Sequence, residues 1–173
     1  MDMPINPNDN ITYDFDKLEK IYIAGGCFWG LEAYVRRLYG VTDTECGYAN
    51  GKTENPTYEE VCNGDTYHAE TVRVLFFPEY ISLEKLLREV FEVVDIYRKQ
   101  DEKDQYRNCV YFENENQKKI IDTLIKTYEV EIPTTIEVKE IQCYYPGEDY
   151  LQDYLEKNPN GFCHINLSKL KNK

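Results

Sequence analysis

Two histidines, two methionines and one tryptophan are spread over 173 residues, and no apolar run approaches the length that crosses a bilayer. The missing apolar run argues against membrane insertion. The histidines, His68 and His164, are far apart in sequence, and the six cysteines (27, 46, 62, 109, 143 and 163) include no CxxC pair, so a structural zinc site lacks its paired ligands. No metal or organic cofactor is expected. Basic residues are scarce as well: 20 Lys and Arg face 32 Asp and Glu, a formal charge of −12 that repels phosphate backbones and argues against nucleic acid as a partner. The opening residues, MDMPINPNDNITYDFDK, lack the basic start and apolar segment of a secretory signal, which leaves the cytoplasm as the expected location. Repeats and low-complexity tracts are also missing.

What is present suits one compact domain over residues 1–173, with an N-terminal arm at 1–19, a tail at 146–173, and a monomer as the default. At 42% hydrophobic the chain can build a core without disulfide staples, so most of the thiols are expected to be plain buried residues. KIYIAGG reads as a buried strand entering a glycine turn, and Leu31, Val35 and Leu38 then recur at helical spacing until Gly40. TDTECGYANG is a candidate strand running into a loop that includes NPTYEEVC, and YHAETVRVLFF alternates as a strand. Leu83, Leu86, Leu87, Val90, Phe91 and Val94 mark a second helix, NCVYF a strand, and Ile120 to Tyr128 a third helix. One strand is expected from Thr134 to about Tyr145, with its alternation slipping near Glu140 at a bulge. The tail offers one short helix and little further pattern. The predicted fold is α/β (α+β), a two-layer sandwich of a mixed sheet with covering helices around a ferredoxin-like core.

The densest stretch is AGGCFWG, which gathers the single Trp, three Gly and Cys27 between a strand and a helix. A helix N-terminus favours the thiolate, the nucleophilic form of cysteine, and predicts a lowered pKa for Cys27. Phe28 and Trp29 beside it would wall a small apolar site. Cys27 as a plain buried residue of a tight turn fits the same letters. On a strand at GDTYHAETVRV, His68, Glu70, Val72, Val74 and Phe76 share one face, and a carboxyl desolvated there would donate a proton near neutrality. Glu70 at a wet strand end is the alternative. Tyr58 and Tyr106 lie in loops beside predicted strands and are either hydroxyl donors or ordinary packing.

Taken in order, GCFWG, NPTYEEVCNGDTYHAE, QYR and NPNGFC resemble the peptide-methionine (S)-S-oxide reductases, the A-type methionine sulfoxide reductases, from about Ile21 to His164. The resemblance implies that Cys27 attacks a sulfoxide sulfur, that Phe28 and Trp29 hold the methyl group, and that Glu70, Tyr58 and Tyr106 bind the oxygen. It implies Cys163 as the thiol that resolves the resulting sulfenic acid, Asp101 as a substrate contact, and thioredoxin or a similar dithiol as the reductant. KQDEKDQYRN is shorter than the family's glycine-containing segment, so Asp101 is placed by counting back from Gln105 and Asp104 is its rival. Phe162 stands where tyrosine is common, and Leu151 where histidine is frequent. Cys143 is the competing resolver, while Cys46, Cys62 and Cys109 are assigned structural roles and His68 a support beside Glu70. A thiol peroxidase or redox sensor built on Cys27 shares the thiol, and a non-enzymatic interaction module would leave Cys27 with an ordinary or raised pKa.

Overall fold

The computed structural model describes residues 3–172. Its strands are β1 (Glu19–Ala24), β2 (Val41–Ala49), β3 (Ala69–Phe76), β4 (Cys109–Phe112), β5 (Glu137–Glu140) and β6 (Tyr144–Pro146), in the sheet order β5-β4-β1-β3-β2-β6. The helices are α1 (Phe28–Val35), α2 (Tyr58–Cys62), α3 (Leu83–Phe91), α4 (Glu115–Tyr128) and α5 (Tyr154–Lys157). Within the central β4-β1-β3-β2 set each adjacent pair is antiparallel, with α1 connecting β1 to β2 and α3 connecting β3 to β4. That is the split βαβ arrangement of the expected ferredoxin-like core.

Period-two alternation decides which side chains meet the helices. Ile21 and Ile23 of β1, Val72, Val74 and Phe76 of β3, and Val110 and Phe112 of β4 form one core with Leu31, Val35, Leu86, Leu87 and Val90. Three of the helices start on side-chain caps; in α3 Ser82 Oγ accepts the Lys85 N–H at 3.1 Å and in α4 Asn114 Oδ1 accepts the Gln117 N–H at 2.9 Å. The Asn114 cap starts α4 five residues earlier than its apolar stripe suggests. The expected loop at NPTYEEVC instead contains α2, opened by a capping box in which the Thr57 side chain takes the Glu60 N–H and Glu60 takes the Thr57 N–H.

The single strand expected from Thr134 to Tyr145 is two strands at opposite edges of the sheet. β5 runs parallel to β4, and β6 runs antiparallel to β2. Between them the chain crosses the back of the sheet, where Ile141 and Tyr144 pack on Tyr22, Ala24, Ala49, Ala69, Cys109 and Tyr111. The slip in alternation near Glu140 is this crossing, not a bulge, and Asn50 Oδ1 steadies it by accepting the Gln142 N–H at 2.8 Å.

The tail lies over the body and is firmly tied. Gln152 acts as a substitute strand partner, its amide accepting the Cys46 N–H at 2.8 Å and donating to the Cys46 carbonyl at 2.7 Å. Glu32, buried in α1, accepts the Asp153 N–H at 2.8 Å, and Leu151, Leu155, Ile165 and Leu167 enter the core. These anchors carry Cys163 back to the start of α1.

Candidate active site

The GG turn and the helix start put Cys27 at the N-cap of α1, and Glu70 is the second residue of β3 on the helix-facing side. The two meet because β1 and β3 are neighbours. One carboxyl oxygen of Glu70 accepts the N–H of Phe28, the residue after Cys27, at 3.2 Å, and the other accepts the Gln105 amide at 2.7 Å. Glu70 is 0% exposed and makes no ion pair among the described residues, so burial pushes its carboxyl up to about 7 against the two hydrogen bonds that favour its charged form.

Cys27 departs from the low pKa expected at a helix N-terminus. Burial first, and then the Glu70 charge, push its thiol up to about 12, although the N–H groups of Trp29 and Gly30 pull the other way. The partial charge of a helix end is worth only a fraction to about 2 kcal/mol. Desolvation beside a carboxylate outweighs it here. With its pKa raised to about 12, the resting Cys27 thiol stays protonated at neutral pH.

A cavity of about 490 Å³ opens above the pair, lined by Cys27, Trp29, Tyr58, Tyr106, Phe162 and His164 among others. Burial first, and then the Glu70 charge, push both hydroxyls up, Tyr106 to about 12, so the two tyrosines remain neutral. Trp29 stacks on Tyr154 of α5 with centroids 3.8 Å apart and planes 13° apart, which makes a flat aromatic wall.

Cys163 reaches the same place over Gly30. A Cβ at Gly30 would stand 2.9 Å from Cys163 Sγ, and the two thiols are close enough that charge on Cys163 raises Cys27. The neighbouring His164 donates from Nε2 to the Gly25 carbonyl at 2.9 Å and covers Gly26, whose φ of +83° and 2.7 Å clearance leave no room for a side chain. The glycines of the turn are thus the seat of the tail.

Four expectations are corrected. Phe28 is 0% exposed and does not line the cavity; its position shares the buried stripe of Leu31 and Val35, and its ring stacks behind Tyr58 with centroids 6.3 Å apart. Asp101 is an exposed turn residue whose Oδ1 accepts the N–H groups of Lys103 and Asp104, and it does not line the cavity. Its rival Asp104 pairs with Arg98 and accepts the Tyr106 N–H at 2.9 Å, so it places the tyrosine, while Asp95 is the aspartate in the cavity wall. His68 supports the loop after β2 and not Glu70: Nδ1 accepts the Gly51 N–H and Nε2 donates to the Thr53 carbonyl, because Tyr67, at φ +62°, breaks the strand geometry before β3 begins. Cys62, expected in a structural role beside apolar neighbours, is exposed at the end of α2 beside Gln105. Cys46 and Cys109 are buried, and Cys143 is held at the Asn50–Gly51 loop.

A family model described as peptide methionine sulfoxide reductase matches residues 19–173. The chain belongs to this family. Among peptide methionine sulfoxide reductases it is 48% identical to MsrA of Lachnoclostridium phytofermentans over 84% of this chain and 91% of that one. It is 43% identical to MsrA of Clostridium botulinum over 87% and 99%. Reduced Mxr1 from Saccharomyces cerevisiae has a similar structure, with a TM-score of 0.75 at 30% identity over 91% of this chain and 96% of that one. Methionine sulfoxide reductase A of Corynebacterium diphtheriae gives 0.73 at 32% identity over 85% and 78%. Two residues at this reductase's site escaped the sequence reading. Glu148 accepts both the Tyr48 hydroxyl at 2.8 Å and the Tyr58 N–H at 3.0 Å, tying β2, α2 and the tail together under the cavity. Gln105, the first residue of the QYR motif but assigned no role from it, touches Glu70 directly, and nothing in the sequence marks Glu148.

Proposed function

We propose that this chain reduces methionine sulfoxide of the S configuration, free or within proteins, with Cys27 as nucleophile, Glu70 as acid and Cys163 as resolving thiol. The supporting observation is the buried Glu70 carboxyl, raised to about 7 and bonded to the N–H next to Cys27. A sulfoxide sulfur resists attack until its oxygen is protonated or strongly hydrogen-bonded, so the acid must sit where the thiol is. Glu70 gives its proton to the sulfoxide oxygen, with the Tyr58 and Tyr106 hydroxyls at the same cavity, and takes the proton of Cys27. The new thiolate attacks sulfur and the hydroxyl passes to it, leaving Cys27 sulfenic acid and methionine with Glu70 again protonated. The Trp29 wall receives the methyl group. Cys163 then condenses with the sulfenic acid, forming the Cys27–Cys163 bond and releasing water. Thioredoxin or a similar dithiol reduces that bond by exchange and is itself oxidised, and a cytoplasmic setting supplies such reductants.

The arrangement also separates this reading from a thiol peroxidase. A thiol that titrates near 12 offers little thiolate to peroxide at neutral pH, and the proton leaves only when an acceptor oxygen takes one from Glu70. A raised Cys27 alone fits the interaction-module reading; Glu70 beneath it does not follow from that reading. The test is an epimer-resolved assay on dabsylated methionine sulfoxide with dithiothreitol. Loss of the S form alone, abolished by Cys27→Ser, is expected. Turnover of the R form at a similar rate, or turnover by Cys27→Ser, overturns the proposal.

A further inference from the structure

Gln105 holds Glu70 from two sides. Its carbonyl accepts the Glu70 N–H at 2.8 Å, and its side-chain Nε2 donates to Glu70 Oε2 at 2.7 Å and lies 3.5 Å from Cys62 Sγ. The backbone bond fixes where the side chain starts, and the amide reaches the carboxyl that the proposed reaction uses as its acid. We propose that Gln105 is a positioning residue for that acid: its side-chain amide turns about its last bond and so holds Glu70 in both protonation states of the cycle. The inference rests on the reading of Glu70 given above.

The reason lies in what an amide offers. An Asn or Gln side chain carries two donors on nitrogen and two acceptor sites on oxygen, whereas Lys and Arg only donate and an ionised carboxylate only accepts. With Glu70 ionised, Nε2 faces it, as found. With Glu70 protonated, a half-turn brings Oε1 to the same place, where it accepts the carboxyl proton. The second neighbour tolerates the turn, because a thiol accepts weakly from Nε2 in the first orientation and donates weakly to Oε1 in the second. A fixed cation at this position would lock the ionised form and remove the acid; an apolar side chain would leave Oε2 unpaired. The other groups facing Glu70 are Cys27 before α1, Cys46 and Tyr48 on β2, Tyr58 on α2, and Tyr106, all neutral at pH 7 in the resting site. None of them supplies a charge that would mask the amide.

The test is the pH dependence of single-turnover kcat/KM for the S sulfoxide in wild type, Gln105→Met, Gln105→Lys and Glu70→Gln, with near- and far-UV circular dichroism as a check of folding. In wild type the rate falls as Glu70 ionises. Gln105→Met removes a charge-assisted bond to the ionised form and a weaker neutral bond to the acid, and the difference moves that alkaline limb upward by about one pH unit. Gln105→Lys moves it downward by a similar amount, and both variants lower the plateau rate. Limbs of folded Met and Lys variants that coincide with wild type overturn the role of Gln105. If Glu70→Gln keeps the wild-type limb, it is the assignment of Glu70 as the acid that fails. Should either Gln105 variant misfold, carboxyl titration of Glu70 by carbon-13 NMR in Gln105→Glu gives the same answer. A new neighbouring carboxylate must raise the Glu70 transition, and an unmoved transition refutes the contact.

Discussion

Replacing Glu70 by Gln should make the protein more stable while stopping its chemistry. The carboxyl is 0% exposed and titrates near 7, against 4.5 for a free side chain. The folded state thus holds this proton more tightly than the unfolded chain does, so stability declines as pH rises from 4.5 to about 7, and the loss is complete above that. At about 1.4 kcal/mol per pH unit the ionised carboxyl costs the fold about 3 kcal/mol at pH 8. Glutamine has the same shape and no charge. Its oxygen still accepts the Phe28 N–H, and the Gln105 amide can turn to accept from its nitrogen. Urea denaturation with reductant present, followed by tryptophan fluorescence, should find wild type and Glu70→Gln alike at pH 4. At pH 8 the variant midpoint should lie higher by roughly 1–2 M, for an m-value of about 2 kcal/mol/M. Midpoints that differ equally at both pH values would show that the carboxyl is not strained by its ionisation, and the account of its raised pKa would be wrong.

Cys27 alkylation by iodoacetamide should accelerate about tenfold per pH unit between pH 8 and 10 with no plateau, as expected of a thiol pushed up to about 12. A plateau between pH 7 and 9 would refute the raised value. Gly30→Ala should fold, since alanine is favoured over glycine in a helix by about 1 kcal/mol, but its Cβ would crowd Cys163 Sγ at 2.9 Å. Release of the first methionine, read by rapid-quench, should change less than about twofold while disulfide formation slows by about tenfold or more, because the displaced sulfur has lost its approach. Equal disulfide rates in variant and parent would remove Gly30 from the path of the resolving thiol.

Much of the site was legible in the sequence where one local rule governed it. The strand, glycine turn and helix around Cys27, and the face of β3 that carries Glu70, follow from periodicity alone. Phe28 was misjudged although the signal was there: its spacing to Leu31 and Val35 is that of a buried helical stripe, which leaves Trp29 alone beside the cavity. The α2 helix was signalled too, by Thr57 three residues before Glu60. Other features depend on distant pairing. Residues 137–140 and 144–146 both look like strand, and only their partners, β4 and β2, reveal that they belong to opposite edges. Asp101 was placed by counting along a shortened segment, and counting says nothing of where a turn directs a side chain. The Cys27 pKa could not be read because a helix start is local whereas burial and the Glu70 charge come from the assembled fold. Gln105 and Glu148 act through contacts 35 and 90 residues away in sequence.

The central claim is that one sulfoxide is reduced at Cys27 and that Cys163 resolves the product. It is tested most directly by a peptide map of the protein after a single turnover, alkylated in acid without added reductant. The account predicts one methionine formed per chain and a Cys27–Cys163 disulfide, with Cys46, Cys62, Cys109 and Cys143 recovered as alkylated thiols. A disulfide from Cys27 to Cys143 or Cys62, or methionine formed with Cys27 still a free thiol, would contradict it.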